Sequence, residues 1–227
     1  MDVTSKDSVK DAVAVIKEKE GFVNILVNNA GVWGGRTSAS AQDGPDAFSE
    51  AMLAEDKEGA WQRSFDVNVT SQYFVTAAFL PLLAKAISGP TGRVGSVINN
   101  CSMAGLLRMS QNRQFPYNVS KAAFIHLTRQ LAFEFSHEQV NVRVNGLALG
   151  YFPSEMTTGE SNAENESTES NEDFGKFLKS MGVRIPTRMG TPQELASVVL
   201  MLATNDFVWG TVMIVDGGFT LAVPGNM

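Results

Sequence analysis

The sequence is poor in the residues that several common chemistries require. Its single cysteine, Cys101, cannot form an internal disulfide, which makes a reducing, cytosolic compartment the default expectation. Its two histidines, His126 and His137, have no partners at metal-ligand spacing. The net charge is −6, no lysines or arginines cluster, and no apolar run has the length of a membrane span. These absences predict no metal site, no nucleic-acid partner and no membrane association, and they favour a protein that acts on a small molecule.

What the sequence does contain is an alternation of short β-branched runs with longer helical stretches. This pattern predicts an α/β fold with a doubly wound parallel sheet that is buried on both faces. No linker interrupts the chain before residue 150, so we expect one domain over residues 1–227. The predicted strands are Phe22–Asn28, Arg93–Cys101, Asn141–Ala148 and Thr211–Val215, and the predicted helices are Ser8–Glu20, Trp61–Ile87, Tyr117–His137 and Pro192–Ala203.

Residues 154–173 differ in composition from the rest of the chain. They contain seven acidic side chains and no basic ones, with many serines, threonines and asparagines between them. The segment follows the third predicted strand, and ligands of open α/β sheets bind beyond such strand ends. We therefore predict a mobile substrate lid, and a solvated insertion explains the same composition equally well.

Tyr117 and Lys121 are four residues apart in a predicted helix, so their side chains share one face. A free tyrosine titrates near about pH 10, and a neighbouring ammonium favours the phenolate. The pair therefore predicts a lowered pKa for Tyr117 and a role in acid/base chemistry. Pairs with this spacing are also common on solvated helix surfaces, so the interpretation depends on the surrounding motifs.

Polar and glycine-containing motifs follow three of the predicted strands. Asn28-Asn-Ala-Gly31 would let a flat molecule approach the backbone, Ser102 places a hydroxyl near a substrate oxygen, and Gly150 opens the acidic segment. Each has another interpretation, namely a turn, a cap for Ser102 and a packing glycine for Gly150. Since the carboxyl ends of parallel strands meet at one edge, we predict that the motifs form one site.

These motifs together resemble the classical short-chain dehydrogenase/reductase family, over essentially the whole chain. Asp2-Val-Thr4 resembles the end of the family's third strand, Asn28-Asn-Ala-Gly31 its fourth-strand motif, and Phe65-Asp-Val-Asn68 the helix with the active-site asparagine. The segments Arg143-Val-Asn-Gly146 and Asp216-Gly-Gly218 are similar to later strand motifs of the family. The sequences of Gly150–Thr157 and of Arg188–Pro192 are particularly similar to those of fungal reductases of this family.

The resemblance implies a Rossmann-like fold and an oxidoreductase that transfers hydride between NADP or NAD and a carbonyl or alcohol. Tyr117 would be the acid/base, Ser102 would orient the substrate oxygen, and Lys121 would lower the pKa of Tyr117 and bind the nicotinamide ribose. Asn68 would hold a water that links Lys121 to solvent. The implied catalytic residues are Asn68, Ser102, Tyr117 and Lys121, and the implied cofactor-binding residues are Asp2, Val3, Asn29, Ala30, Gly31, Tyr117, Lys121, Gly150, Phe152 and Ser154.

The chain departs from the family at its beginning. Nothing in it matches the glycine-rich turn that binds the cofactor's pyrophosphate. We therefore expect an N-terminally truncated member in which the first two to three strands are absent. The Phe22–Asn28 strand would then be an exposed apolar edge, and the residue that selects NAD or NADP would lie outside this chain.

Three functions are compatible with these observations. The first is the NAD(P)-dependent oxidoreductase, which acts on a small molecule and assembles, as its family does, into a homodimer or homotetramer. The second is a catalytically silent truncated member that associates with full-length subunits. The third is an epimerase or dehydratase on the same fold, which the Ser102, Tyr117 and Lys121 set favours least.

Overall fold

A four-stranded parallel sheet forms the centre of the computed structural model, which describes residues 1–55, 59–158, 162–163, 171–180, 185 and 188–223. The strand order follows the chain, and the register pairs Val27 with Ile98, Ile98 with Asn145 and Ala148 with Ile214. The predicted Rossmann-like α/β fold is thereby confirmed. The strands are β1 (Ile25–Asn28), β2 (Gly95–Asn100), β3 (Val142–Leu149) and β4 (Val212–Val215).

Helices alternate with these strands, as the sequence pattern predicted. The helix before β4 begins at the expected cap, where Thr191 and Glu194 form a reciprocal capping box. The helices are α1 (Lys6–Lys19), α2 (Pro45–Ala54), α3 (Ala60–Phe65), α4 (Ser71–Leu83), α5 (Phe115–Phe135), α6 (Glu155–Thr158), α7 (Asn171–Ser180), α8 (Pro192–Thr204) and α9 (Phe219–Ala222). Short 3₁₀ turns cover Ala41–Asp43, Ala86–Ser88 and Met103–Gly105.

Two predicted elements differ from the structure. The single helix expected over Trp61–Ile87 is interrupted, because a π-helical turn at Asp66–Thr70 separates α3 from α4. The strand expected over Phe22–Asn28 begins only at Ile25. The amide of Val23 donates to Leu82 O at the end of α4 instead of joining the sheet (3.0 Å), and this contact shortens the strand.

The core lies on both faces of the sheet, with β2 and β3 almost wholly buried. Val97 faces the layer of α1, α4 and α5, whereas its neighbour Ile98 packs with Leu202 of α8 on the other face. At the terminal strand β1, Ile25 and Val27 are 44% and 49% exposed. An apolar edge was expected at this strand, and the expectation that further strands are absent before it stays a prediction.

A buried arginine joins β3 to α8. Arg143 is fully buried, and its guanidinium donates to Leu202 O (2.8 Å) and Ala203 O (2.9 Å) at the end of α8. These carbonyls have no partner within the helix, and a cation there also interacts favourably with the helix dipole. Asp206 completes the arrangement as an ion pair at 3.5 Å.

Among the described residues, the helical run Ala60–Ser88 is long and apolar enough to cross a membrane by length and composition alone. No apolar run of this length was predicted from the sequence. In the fold, Asn68, Gln72 and Thr76 on this run are buried and bond to loops, to β1 and to α5. Buried polar side chains with protein partners are typical of a helix in the core of a globular domain.

The acidic segment is described in part, since residues 159–161 and 164–170 lie outside the described residues. Its end belongs to α7, which the sequence analysis did not predict. Phe174 and Leu178 of α7 are buried against Met103 and Phe219. The helix is thereby attached to the end of the sheet that carries the predicted site.

Candidate functional site

A cavity of about 310 Å³ lies beyond the carboxyl ends of β2 and β3, and we call it the site cavity. Ser102 reaches it just after β2, Tyr117 from the first turn of α5, and Gly150 just after β3. Of the three motifs that were predicted to form one site, those of Ser102 and Gly150 line this cavity together with Tyr117, whereas Asn28-Asn-Ala-Gly31 does not line it. The other lining residues are Trp33, Arg36, Met103, Ala104, Gln111, Asn112, Gln114, Leu149, Tyr151, Met156, Thr157 and Phe177.

Ser102 is fixed by the short turn that it caps. Its Oγ accepts a hydrogen bond from Ala104 N (3.2 Å), so the cap that the sequence analysis weighed as an alternative is present. The turn then packs directly on α5 through Gly105. A Cβ there would lie 2.6 Å from Ala122 N and 2.6 Å from the carbonyl carbon of Lys121. This contact fixes the distance between Ser102 and the helix that carries Tyr117.

The pKa of the Tyr117 phenol is shifted in the opposite direction to the prediction. Burial raises its pKa above the usual value, and a hydrogen bond with the Ser102 side chain offsets only part of that rise. The predicted lowering by Lys121 is therefore not found in the protein alone. The ammonium lies 5.8 Å from the centre of the Tyr117 ring and is directed at Asn100 O, so the burial of the phenol dominates.

Lys121 is almost completely buried, next to the loop after β1 that contains the predicted cofactor residues Asn29, Ala30 and Gly31. Its Nζ donates to Asn100 O (2.9 Å), and burial lowers its pKa to about 8. Gly31 lies beside it, since a Cβ on Gly31 would be 3.6 Å from Nζ. An ammonium has three hydrogens, so this one keeps donors for a ligand that passes over Gly31.

Asn68 holds the loop after β1 in place. Its Oδ1 accepts from Val32 N (2.8 Å), and its Nδ2 donates to Val32 O (3.0 Å) and to Ser120 Oγ on α5 (3.0 Å). Both amide hydrogens are therefore occupied by protein. The π-helical turn brings Asn68 to this position, and π-turns recur at functional sites. The water that Asn68 was expected to hold stays a prediction.

Gln72 is a positioning residue that the sequence analysis missed. It is buried, and its Nε2 donates to Ala30 O (2.8 Å) and Val67 O (2.9 Å). Asn29 of the same loop is held through its Oδ1, which accepts from Asn100 Nδ2 (2.7 Å). A lone glutamine in the apolar run of α4 was the available signal, because a buried amide requires partners.

The predicted cofactor residues near the N-terminus occupy different positions. Val3 lines a second cavity of about 730 Å³ together with Val32 and Thr70, next to the loop after β1. Asp2 is exposed, and its carboxylate accepts from Thr4 N (2.9 Å) and Thr4 Oγ1 (2.7 Å), which holds its pKa below the usual value. Its carboxylate thus stabilises the turn before α1.

The predicted residues after β3 make local contacts. A Cβ on Gly150 would lie 2.6 Å from the Cα of Asp216, so the packing interpretation of this glycine applies. The Phe152 ring packs against Gly190 where a side chain would overlap it. Ser154 contacts Thr157, with the two hydroxyls 3.0 Å apart. Gly150 lines the site cavity, whereas Phe152 lines a neighbouring cavity of about 360 Å³.

Cys101 and His137 do not line the site cavity. Cys101 is buried, with its Sγ 3.7 Å from Thr128 Oγ1, and burial raises the pKa of its thiol to about 11, as expected for an inert cysteine. His137 accepts a bond from Gln139 N at the surface. The described residues contain no cluster of potential metal ligands.

The sequence has relatives among characterised proteins. A family model described as enoyl-(acyl carrier protein) reductase matches residues 1–220. The short-chain dehydrogenase/reductase PhomF' of Diaporthe leptostromiformis is 31% identical over 99% of this chain and 74% of its own. The gluconate 5-dehydrogenase of Gluconobacter oxydans is 32% identical over 98% and 74%, and the galactitol 2-dehydrogenase of Rhizobium johnstonii is 35% identical over 86% and 65%. The particular similarity to fungal reductases stays a prediction.

Solved structures agree with these relatives. The Pseudomonas aeruginosa RhlG/NADP active-site complex is 28% identical and superposes with a TM-score of 0.73 over 96% of this chain and 74% of its own. A gluconate 5-dehydrogenase from Burkholderia cenocepacia J2315 in complex with NADP and tartrate is 26% identical and superposes with a TM-score of 0.69, over 98% of this chain and 74% of its own. The matched model, the relatives and the shared fold lead to one conclusion: this chain belongs to the short-chain dehydrogenase/reductase family of NAD(P)-dependent oxidoreductases.

Proposed function

We propose that the protein reduces the carbonyl of a small substrate bound in the site cavity, with Tyr117 as the proton donor. The observation that carries this proposal is the meeting of Ser102 and Tyr117 in one cavity, with Lys121 buried one helical turn behind the phenol. The raised pKa keeps the phenol protonated at neutral pH, which is the form that carbonyl reduction needs. The reverse reaction would require the phenolate.

Each side chain has a distinct part in this proposal. A bound nicotinamide supplies the hydride in the reduction and accepts it in the oxidation. The Ser102 hydroxyl donates to the substrate oxygen and orients it toward Tyr117, which transfers its proton as the oxygen becomes an alcohol. The nearby Lys121 ammonium stabilises the phenolate that remains. Asn68 and Gln72 position the loop after β1 and do not touch the reacting atoms.

The residues present fit a nicotinamide cofactor of the NADP or NAD type. Gly31 leaves room beside Lys121 Nζ, whose spare hydrogens suit ribose hydroxyls. Val3 and Val32 form an apolar part of the adjoining cavity, which suits the adenine end. The rest of its lining includes polar and charged side chains. In this proposal Asn29, Ala30, Gly31, Tyr117 and Lys121 hold the nicotinamide half. Asp2, Gly150, Phe152 and Ser154 are assigned to the cofactor by resemblance, and their contacts here are with protein.

The experiment that tests the proposal compares two tyrosine variants. Tyr117→Phe should lower the kcat for carbonyl reduction by about 10²- to 10⁴-fold, since a proton donor is removed. The Kd for NADPH, measured by calorimetry, should rise far less than kcat falls, because Tyr117 is only one of the five residues proposed to hold the nicotinamide half. The matched control is Tyr73→Phe, which removes the same hydroxyl from an exposed position on α4. Equal turnover in the two variants would contradict the acid/base role of Tyr117.

A catalytically silent member would behave differently. It would bind neither NADPH nor NADH in the same titration and would reduce no carbonyl. The comparisons give this alternative no support, because the relatives named above are reductases or dehydrogenases. An epimerase or dehydratase would bind the cofactor and show no net change in nicotinamide absorbance.

We also propose a homodimer or homotetramer. Three aromatic or β-branched side chains on the long helices support it, since Tyr73, Val119 and Phe133 are 45%, 44% and 77% exposed. Light scattering after gel filtration should give a mass of two or four chains. A single chain mass at micromolar concentration would contradict the proposal.

The lid assigned to residues 154–173 belongs to this proposal as well. Met156 and Thr157 line the site cavity, as does Phe177 of α7 just beyond the segment. Substrate binding should therefore slow amide hydrogen exchange in peptides that cover these residues. Exchange that is unchanged on binding would favour the solvated insertion.

A further inference from the structure

One charged side chain on the wall of the site cavity has no partner of opposite charge. Arg36 lines the cavity with Tyr117 and Ser102. Within the described part of the chain, its guanidinium donates no hydrogen bond and forms no ion pair. None of the lining residues is acidic. The cavity therefore presents an uncompensated positive charge to whatever enters it.

The loop that carries Arg36 is fixed on both sides of it. Before it, Gly34 packs so closely on α3 and α5 that a Cβ would overlap Ser64 Oγ. After it, Thr37 is fully buried and exchanges two bonds with Arg113. Thr37 N donates to Arg113 O (3.2 Å), and Arg113 Nε donates to Thr37 O (3.0 Å). The backbone of Arg36 is thus preorganised, although its side chain is exposed.

The turn that faces this loop is strained. Gln111, Asn112 and Arg113 are three successive non-glycine residues with positive φ, at 45°, 68° and 67°. Such conformations cost about 1–3 kcal/mol each and persist where the surroundings enforce them, typically at ligand sites. Here Arg113 N donates to Ser110 Oγ (3.1 Å) and Gln114 N to Ser110 O (3.1 Å), which closes the turn.

The strained turn gives the cavity a neutral polar wall near Arg36. Gln111 Nε2 donates to Tyr151 Oη (3.4 Å), and Gln114 Oε1 accepts from Trp33 Nε1 (3.0 Å). Amides and phenols both donate and accept hydrogen bonds, so this wall suits a ligand with hydroxyl groups. Arg36 alone among the lining residues selects for charge.

We propose that Arg36 binds the carboxylate of the substrate, which is a small hydroxy acid or its oxo form. A guanidinium matches a carboxylate in geometry and forms a pair of charge-assisted bonds with it. One cation balances one carboxylate, whereas a phosphate dianion would retain a negative charge in the cavity. A volume of about 310 Å³ accommodates an acid of a few carbons. The inference rests on the proposed carbonyl reduction, because it places the substrate carbonyl at Tyr117.

The test uses acids and alcohols that differ only in the carboxylate. Four matched pairs span three to six carbons: glycerate and glycerol, threonate and threitol, xylonate and xylitol, and gluconate and glucitol. Binding to the full chain is measured by saturation-transfer NMR with and without NADP⁺, for the wild type and for Arg36→Gln and Arg36→Lys. The control is Arg108→Gln, which removes the same charge from an exposed arginine outside the cavity lining.

At least one acid should bind the wild type about 10-fold more tightly than its alcohol. Arg36→Gln should abolish this preference, Arg36→Lys should retain part of it, and Arg108→Gln should leave it unchanged. Where the acid or its oxo form is turned over, Arg36→Gln should raise KM about 10-fold with kcat nearly constant. Equal binding of acid and alcohol in all four pairs, no binding of any acid, or a preference that survives Arg36→Gln would overturn the inference.

This experiment separates the inference from the proposed function. If the wild type binds the acids more tightly than the matched alcohols and no carbonyl compound is reduced, the anion site is supported and the proposed reaction is contradicted. If carbonyl compounds are reduced and the acids show no preference, the reaction stands and the role of Arg36 fails.

Discussion

The two walls of the site cavity are held in different ways. The first, which we call the catalytic wall, comprises residues 100–105 and α5, together with the loop at 28–32, which does not line the cavity but lies beside Lys121. Its side chains bond to residues far away in the sequence, such as Asn68 to Ser120 and Asn28 to Asn99. The second, which we call the substrate arm, comprises residues 150–158 and α7. The hydroxyls of Ser154 and Thr157 bond to residues at most five positions apart, and the Tyr151 hydroxyl accepts its bond from the distant Gln111.

Aromatic packing joins the two parts of the arm, 150–158 and α7, and attaches them to Phe219 of α9. Tyr151 contacts Phe174, Phe177 and Phe219 in edge-to-face geometry, at ring separations of 5.4 to 5.9 Å. Such contacts tolerate small shifts, whereas a buried amide that loses its partner is costly. The difference indicates that the fold fixes the acid/base groups precisely and leaves the substrate side adaptable. Pairs of matched changes, one in each wall, test this comparison.

The largest contrast is expected for two glycines. Gly105→Ala places a Cβ 2.6 Å from the backbone of α5. Because the atoms it meets belong to the helix backbone, no flexible side chain can move away to relieve the overlap. The variant should lose about 3 kcal/mol of unfolding free energy and most of its turnover. Gly175→Ala is the control in α7, because a Cβ there meets nothing within 4 Å. It should be neutral or more stable by up to about 1 kcal/mol. Equal losses in urea unfolding would refute the contrast.

A smaller contrast is expected for two polar side chains. Gln72→Leu keeps the volume of the side chain and removes the donor of Ala30 O, while Val67 O retains the bond from Ser71 Oγ. We expect a loss of about 2 kcal/mol in unfolding free energy and a lower kcat, because the loop beside Lys121 is no longer held. Ser154→Ala is the control in the substrate arm, where the contacts are local and exposed. It should change stability by less than about 0.5 kcal/mol. A larger loss from Ser154→Ala would show that the arm is as constrained as the catalytic wall.

The difference between the walls also explains what the sequence could predict. The helix that carries Tyr117 and Lys121 follows from periodicity, and the strand ends follow from short apolar runs bounded by turn residues, so the convergence of Ser102, Tyr117 and Gly150 was predictable. The π-helical turn at Asp66–Thr70 was not, because it depends on where Asn68 finds partners in Val32 and Ser120.

Two further features depend on the tertiary structure. The pKa of Tyr117 was predicted from its spacing to Lys121, whereas burial determines its direction. Residue spacing carries no information about how much solvent a phenol loses. Arg36 lies in a loop with no periodic pattern, and only the folded chain shows that its neighbours are fixed and that it faces the site cavity.

The smallest contrast is expected in how one lysine from each wall, Lys121 or Lys176, affects the pH dependence of the unfolding free energy. Lys121 has a pKa of about 8 in the folded protein, whereas the usual pKa of a lysine is 10.5, so the folded state binds fewer protons than the unfolded chain between these values. The unfolding free energy should therefore rise with pH, by about 1 kcal/mol between about pH 7.5 and 9. Above about pH 9 the Cys101 thiol, whose pKa burial raises to about 11, acts in the opposite direction, so the measurement ends there. Lys121→Met should abolish this rise.

Lys176 of α7 provides the control in the substrate arm. It is exposed, and bonds to Glu172 and Asp173 raise its pKa, so it stays charged in both states across this interval. Lys176→Met should leave the pH dependence of urea unfolding unchanged. A rise that persists in Lys121→Met would mean that the ammonium is solvated in both states, and the catalytic wall would then be as open to water as the arm.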